Sequence, residues 1–299
     1  MVGDTLPVTV VIPAYEREHL LEETLVSVAA QTPRRPREVI VVDDCSGDGT
    51  AEVAERAGAR VIRHERNRGA GAARNTAVAA ASQPWIAPLD SDDRWLPHHL
   101  DTLWRMRDDH VFVAGAVLAG GERLRYAGVP GRRPKVLGSP REVVFPENIV
   151  PASGLLIRAD DIRAVGGYDT SLRYAEDFDL VIRLLERGTG LALPVVVYHW
   201  RRHGGSKSLN SREATRAHRA IVGSYAGRSW WSRGLLERRS AVAEWDDLRE
   251  ALAAGRRREA LGSAGWIASR PERLLGLAGL LAFRRRMRRR TAREVRGVE

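Results

Sequence analysis

Trp85-Ile-Ala-Pro-Leu89-Asp90-Ser91-Asp92-Asp93 is an apolar run that stops on an acidic cluster. The run reads as a buried strand, and the acids as the turn that leaves it. Two runs upstream end in a similar way. Val39-Ile-Val-Val42 stops on Asp43-Asp44, and Val8-Thr-Val-Val-Ile12 is closed by Pro13 and followed by Tyr15-Glu16. Leu21, Leu25 and Val28 recur at helical spacing, which predicts a helix over about 18–30. Arg60-Val-Ile-Arg63 reads as a short strand, and the Ala-rich stretch 70–81 as a helix. Strand and helix alternating in this way predict an α/β fold with a mostly parallel, Rossmann-like sheet flanked by helices. Such sheets bind ligands at the carboxyl ends of their strands. One sheet edge is therefore expected to collect Tyr15-Glu16, Asp43-Asp44 and Asp90 to Asp93 around one crevice.

Further along, Val111 to Leu118 and Ile149 to Arg158 are strand-like, and the glycines and prolines between them mark turns. Glu176 to Arg187 carries Phe178, Val181, Ile182 and Leu185 on one helical face, and Leu191 to Trp200 reads as a strand. After about 208 the texture becomes Ala, Arg, Leu and Trp at helical spacing. The expected division is 1–208 as the α/β unit and 209–299 as a helical C-terminal region with a basic tail.

Composition bounds the function. At 299 residues, 43% hydrophobic and 29% charged, the chain can bury a full core without staples. One cysteine, Cys45, excludes an internal disulfide and a cysteine-based zinc cluster. The net charge is +10, and all but two of the 48 basic residues are Arg, six of them in 284–290. Basic charge can mean nucleic acid, an anionic membrane or an anionic substrate, or only an arginine-biased composition. No basic stripe is interleaved with aromatics, so nucleic acid is not the expected partner. The apolar run Leu274 to Phe283 is too short to span a bilayer. Followed by the arginines, it can lie on an anionic membrane surface or pack as a helix with a solvated tail. With no signal peptide visible, the expected compartment is the cytoplasm, with peripheral contact at the inner membrane face.

Five constellations can carry chemistry. Asp90-Ser91-Asp92-Asp93 offers hard oxygen ligands for Mg2+ or Mn2+, or caps a following helix. Asp43-Asp44 at a strand end can accept from a base or a ribose, or close a turn. Asn67 to Asn75 carries small residues that let a helix N-terminus approach phosphate, with Arg74 able to pair with phosphate or carboxylate. Close helix packing is the alternative there. Glu176-Asp177 opens a helix, where a carboxylate can be a cap or a general base. His199 and His203 follow a strand, a place for a metal or phosphate contact or for a structural histidine. His64, His98, His99 and His110 are expected at the surface. Trp230-Trp231 and Trp266 can be core or a platform for a sugar or lipid.

In this order the pieces resemble the family 2 glycosyltransferases, which have the GT-A nucleotide-diphospho-sugar transferase fold. The matching stretches are Val10 to Tyr15, Val41 to Thr50, Asn67 to Asn75, Leu89 to Asp93, Gly166-Gly-Tyr-Asp169 with Glu176-Asp177, and Arg202-His203. The resemblance implies metal-dependent, inverting transfer of a sugar from a nucleotide-diphosphate sugar, UDP- or dTDP-linked, to an acceptor hydroxyl. It places Pro13, Tyr15, Glu16 and Asp44 beside the nucleoside, and Arg74 near the base or phosphates. Asp90, Ser91 and Asp92 become the Asp-x-Asp motif, with Asp92 the first ligand of a divalent cation (Mn2+ or Mg2+), Asp90 supporting it and Asp93 starting the next helix. Asp177 becomes the catalytic base, with Glu176 beside it, and His203 a further metal or diphosphate contact. A nucleotidyltransferase acting on a sugar phosphate is the alternative. It lacks support from any Gly-rich loop with Lys after the first strand.

Overall fold

The computed structural model describes residues 5–120, 125–129, 131–145, 150–201 and 211–296. Arg202 and His203 lie outside the described residues. The strands are β1 (Thr5–Ala14), β2 (Arg35–Asp43), β3 (Arg60–Arg63), β4 (Trp85–Pro88), β5 (Arg94–Trp95), β6 (Phe112–Gly120), β7 (Arg125–Ala127), β8 (Lys135–Leu137), β9 (Leu155–Arg158) and β10 (Gly190–Arg201). They form one sheet in the order β3-β2-β1-β4-β9-β6-β10-β5, with β7 paired to β6 and β8 to β10.

The N-terminal half is parallel, as the β-branched runs predict: β3, β2, β1 and β4 are joined by helices α1 (Glu18–Ala29), α2 (Thr50–Arg56) and α3 (Ala70–Ala80). Beyond β4 the sheet is mixed. β9 runs antiparallel to both β4 and β6, while β10 returns parallel to β6. Short helices α4 (His99–Trp104), α5 (Arg141–Val144) and α6 (Ala159–Ala164) fill the connections, and α7 (Glu176–Arg187) leads into β10.

Two apolar layers cover the sheet. One holds Val8, Val10, Ile12, Leu21 and Leu100; the other holds Val11, Ile40, Phe112, Phe178 and Leu184. Because successive residues of a strand face opposite sides, β1 feeds both layers from one unbroken apolar run.

Four helices follow: α8 (Ser211–Ser224), α9 (Arg233–Ala253), α10 (Arg257–Ala268) and α11 (Pro271–Arg296). Ile221, Val222, Trp230 and Leu235 join the same apolar layer as Phe178. Trp230 and Trp231 are core residues, not a platform: their indole N–H groups donate to Glu186 and to the Val222 carbonyl. Trp266 is covered by Arg273, whose guanidinium carbon lies 3.3 Å from the ring centroid. Among the described residues no helix is long and apolar enough to cross a membrane.

Candidate active site

The parallel half brings the carboxyl ends of β1, β2 and β4 together, and the loops leaving them are fastened to one another. Glu16 donates its backbone N–H to Ser46 and accepts from Gly47 N–H through its carboxylate. Arg17 N–H donates to Thr50, and Glu18 and Asp48 bridge the same two loops. Pro13 is buried in β1, whereas Tyr15 and Glu16 are exposed beside this seam.

Asp44 is buried at the end of β2. Its carboxylate accepts from His64 Nδ1 at 2.7 Å, from Arg68 N–H at 2.9 Å and from Gly69 N–H at 2.7 Å. An ionised carboxylate has about four acceptor sites, so few remain for a ligand. Asp44 thus sets the loop that enters α3. Gly69, just before α3, has φ 87 and ψ 160, a conformation essentially confined to glycine. His64 corrects the surface expectation: it is held between Asp44 and Thr76. His99 corrects it too. It is fully buried, stacks on Trp95 at 3.9 Å, and burial pushes its pKa down to about 3.

The acidic turn after β4 is fastened from several sides. Asp90 N–H donates to Ser153 Oγ, and Ser153 Oγ donates to Asp93 at 2.6 Å. Asp93 does not start a helix. It is buried and accepts from Arg201 N–H, and the next residues, Arg94–Trp95, pair with Tyr198–His199 of β10. Burial and the nearby Asp90 raise the Asp93 pKa well above the usual carboxylate range. Ser91 is buried, and its carbonyl accepts from Thr24. Arg201 Nε donates to the Asp92 carbonyl, and its other nitrogens reach Glu23, Leu20 O and Thr24 on α1. The Asp92 carboxylate remains 19% exposed, 3.9 Å from Arg17. The capping alternative fails because α4 begins only at His99, with His98 at its N-cap and no side-chain cap.

Arg74 closes the arrangement. From the first turns of α3 it donates to Asp90 and, at 2.7 Å, to Glu176 at the start of α7. Its side chain is 5% exposed. Burial opposes its charge, but Asp90 and Glu176 outweigh that and hold its pKa well above normal. Asn75, the next residue, clamps the Gly167–Tyr168 turn by accepting from Tyr168 N–H and donating to Tyr168 O. A Cβ at Gly167 would lie 2.4 Å from Asn75 Oδ1, so only glycine fits this clamp.

Asp177 lies in the same cluster, on the first turn of α7. Desolvation first, then the charges of Glu176 and Asp90, raise its pKa to about 6, while Arg74 and the Phe178 N–H act the other way. The result is a carboxylate poised to accept a proton near neutral pH.

Asp90, Arg74, Glu176 and Asp177 are thus assembled as one charged cluster, with Asp92 on the same turn as Asp90 but beside Arg17, and Tyr15, Glu16 and Asp44 on the neighbouring loops. Sequence reasoning missed Arg17, Ser153 and the multiple bonds of Arg201. Arg17 and Arg201 stand next to motifs and were findable by position. Ser153 had no local signal, because its place under the acidic turn comes from a contact 60 residues distant in sequence. Among the described residues no three His, Cys, Asp or Glu side chains form a ready metal cage.

Known proteins resemble this chain in sequence and in fold. Residues 9–152 match the profile of the family described as glycosyl transferase family 2. The succinoglycan biosynthesis protein ExoO of Rhizobium meliloti (strain 1021) is 33% identical over 230 residues, 69% of this chain and 64% of that protein. The mannosyltransferase PcManGT from Pyrobaculum calidifontis, solved with GDP-Man and Mn2+, superposes with a TM-score of 0.62 at 18% identity, over 96% of this chain and 87% of that one. S. aureus TarS 1-349 with UDP-GlcNAc gives a TM-score of 0.61 at 19% identity, over 89% of this chain and 82% of that one. These two likenesses show the fold. The chain spans 39 to 64% of the length of the curated relatives it matches.

Proposed function

We propose that this chain, a glycosyltransferase that belongs to glycosyl transferase family 2, transfers a sugar with inversion from a nucleotide-diphosphate sugar to an acceptor hydroxyl. The observation that carries this reading is Asp177, a carboxylate with its pKa near 6 facing the Asp90–Arg74–Glu176 cluster. Inversion needs one base and one in-line attack. Asp177 takes the proton of the acceptor hydroxyl while the acceptor oxygen bonds to the anomeric carbon. The bond from that carbon to the diphosphate breaks, and the diphosphate leaves with the electron pair. Glu176 keeps Arg74 in place and raises the basicity of Asp177.

The nucleoside lies along Pro13, Tyr15 and Glu16, with Asp44 fixing the floor through 64–69. Arg74 faces the phosphates. Asp92 and Asp90 offer hard carboxylate oxygens at one strand end, a donor set that suits Mn2+ or Mg2+ when the diphosphate completes the shell. When bound, the cation supplies Lewis-acid stabilisation of the leaving diphosphate. His203 is proposed as a further contact there.

The α/β part through residue 208 carries donor and base, and the helices after it shape the acceptor side. UDP or dTDP is the proposed nucleotide. PcManGT binds GDP-Man and TarS binds UDP-GlcNAc, so GDP belongs in the same screen. The chain acts at the cytoplasmic face of a membrane, touching it peripherally through the basic C-terminal segment.

Thermal-shift and calorimetric screening of UDP, dTDP and GDP with and without Mn2+ tests the donor site. Asp177→Asn should abolish turnover and keep nucleotide affinity. A variant that retains near-normal turnover removes Asp177 from the mechanism, and pyrophosphate release from a nucleoside triphosphate would point instead to nucleotidyl transfer.

A further inference from the structure

α11 is docked firmly on its inner side. Leu280 and Met287 are buried there. Gly276 sits so close to α9 that a Cβ would lie 2.8 Å from Arg238 Cα. Near its end, Arg290 donates to the carbonyls of Gly131 and Pro194, which brings the exposed Arg132 and Arg133 beside the helix.

The outer side is different. Leu274, Ala278, Leu281, Arg285 and Arg288 follow one another at helical spacing, and all are exposed. Leu274 and Leu281 are 49% and 44% exposed, and Leu275 flanks them at 59%. The stripe therefore changes from leucine to arginine along the helix. Between α11 and α9 lies a groove of about 480 Å3, lined by Trp245, Arg249, Leu281, Arg285, Arg288 and Arg289, with Arg284 at its wall. Arg284 is held by both oxygens of Asp246. Among the described residues no carboxylate pairs with Arg249, Arg285, Arg288 or Arg289. Several uncompensated guanidinium groups around a concavity suit a phosphate. A tryptophan and exposed leucines at the same place suit the boundary between headgroups and acyl chains.

We propose that this groove seats the phosphate of an anionic phospholipid headgroup, with Leu274, Leu275 and Leu281 entering the acyl boundary. The proposal rests on the peripheral membrane contact inferred above and goes further by assigning a headgroup site and the residues that form it. Charge complementarity selects the occupant: the groove is lined by arginines, and the cytoplasmic leaflet is anionic.

The test is flotation of the full chain with vesicles of equal parts phosphatidylglycerol and phosphatidylcholine, against phosphatidylcholine alone. Binding should require the anionic lipid. The triple variant Arg285→Gln, Arg288→Gln, Arg289→Gln should lose about fivefold per arginine, roughly a hundredfold together. A control triple with the same charge change on a distant surface, Arg35→Gln, Arg37→Gln, Arg56→Gln, should lose far less. Leu281→Ser should weaken vesicle binding while net charge is unchanged. Equal losses in the two triples would show a general charge effect and overturn the groove. Calorimetry with inorganic phosphate is the second arm: arginine-dependent binding of phosphate as tight as that of the vesicles would overturn the lipid assignment. Unchanged melting and nucleotide affinity of the groove variant establish that it is folded. Vesicle binding is read without donor, so its failure leaves the transferase reading standing.

Discussion

Glu176→Gln separates a tuned base from a merely buried acid. Glu176 accepts from Arg74 at 2.7 Å, and its charge is the second cause, after desolvation, of the raised pKa of Asp177. Glutamine keeps an acceptor for Arg74 and removes the negative charge. Two unit charges about 6 Å apart at an effective dielectric of about 20 interact by roughly 3 kcal/mol. Arg74 already neutralises part of the Glu176 field, so a movement of roughly one pH unit is the reasonable size. The sign is downward: with a like charge gone, Asp177 ionises at lower pH. In the proposed mechanism Asp177 works as the carboxylate, so activity should be present above its pKa and fall as pH drops through it. With a pKa of about 6 in the parent, roughly a tenth of the base is ionised at about pH 5. With the pKa about one unit lower, roughly half is ionised. Relative to its own plateau, kcat/KM at about pH 5 should rise about fivefold in the variant, with almost no change in shape above about pH 8. The assay is the pH profile of kcat/KM for donor turnover, which reports groups of the free enzyme. An acidic limb that stays in place, or moves upward, refutes the role of Glu176 in setting the base.

Arg74→Met should do the opposite. Arg74 lowers the Asp177 pKa, so its loss should move the acidic limb upward in the same profile and cost about 3 kcal/mol of stability in urea unfolding, because Asp90 and Glu176 lose their shared cation. Asp92→Ala should weaken Mn2+-dependent binding of the nucleoside diphosphate by roughly tenfold or more in calorimetry, and unchanged affinity would remove Asp92 from the metal role. Gly69→Ala places a side chain at φ 87 in the loop that Asp44 holds, and should cost about 1–3 kcal/mol in chemical denaturation.

The parallel half of the sheet was readable because its signals are local. Arg60–Arg63 and Glu176–Arg187 have the limits that spacing alone predicts, and α3 differs by one residue. The acids at strand ends converge because the topology leaves them no other edge. What escaped was non-local. β5 is two residues long, too short for any periodicity, and exists only because Tyr198 and His199 offer it partners. The antiparallel β9 carries the same apolar pattern that a parallel strand would carry, so direction was not encoded in the run itself. His64 looked like a surface residue because nothing beside it shows that Asp44 and Thr76 bind both its ring nitrogens. Asp93 looked like a cap because a short acidic turn has two uses, and Ser153 decides between them from a distant loop.

The region after residue 208 carried no motif, yet it reaches the helix that bears Asp177, the proposed base. Phe178, next to Asp177, is fully buried and meets the ring of His218 from α8 at 4.6 Å, edge-on, with Arg239 of α9 on its face at 6.0 Å. Just past the end of α8, Tyr225 donates to Asp179, the residue after Phe178, at 2.8 Å, and Asp179 in turn holds Arg183, whose guanidinium fastens the carbonyls of Val165 and Gly167. Gly167 belongs to the turn that Asn75 clamps, and Asn75 is the neighbour of Arg74. A chain of direct contacts therefore runs from the helical region, through α7, to the arginine between Asp90 and Glu176. Up to Asn75 each link is a hydrogen bond or a packed ring in a wholly or partly buried setting, where loss of a partner costs more than the bond itself contributes. The first C-terminal helices therefore belong with the machinery that keeps Asp177 and Arg74 in register, because the α/β layer alone leaves Phe178 and Asp179 without their outer partners.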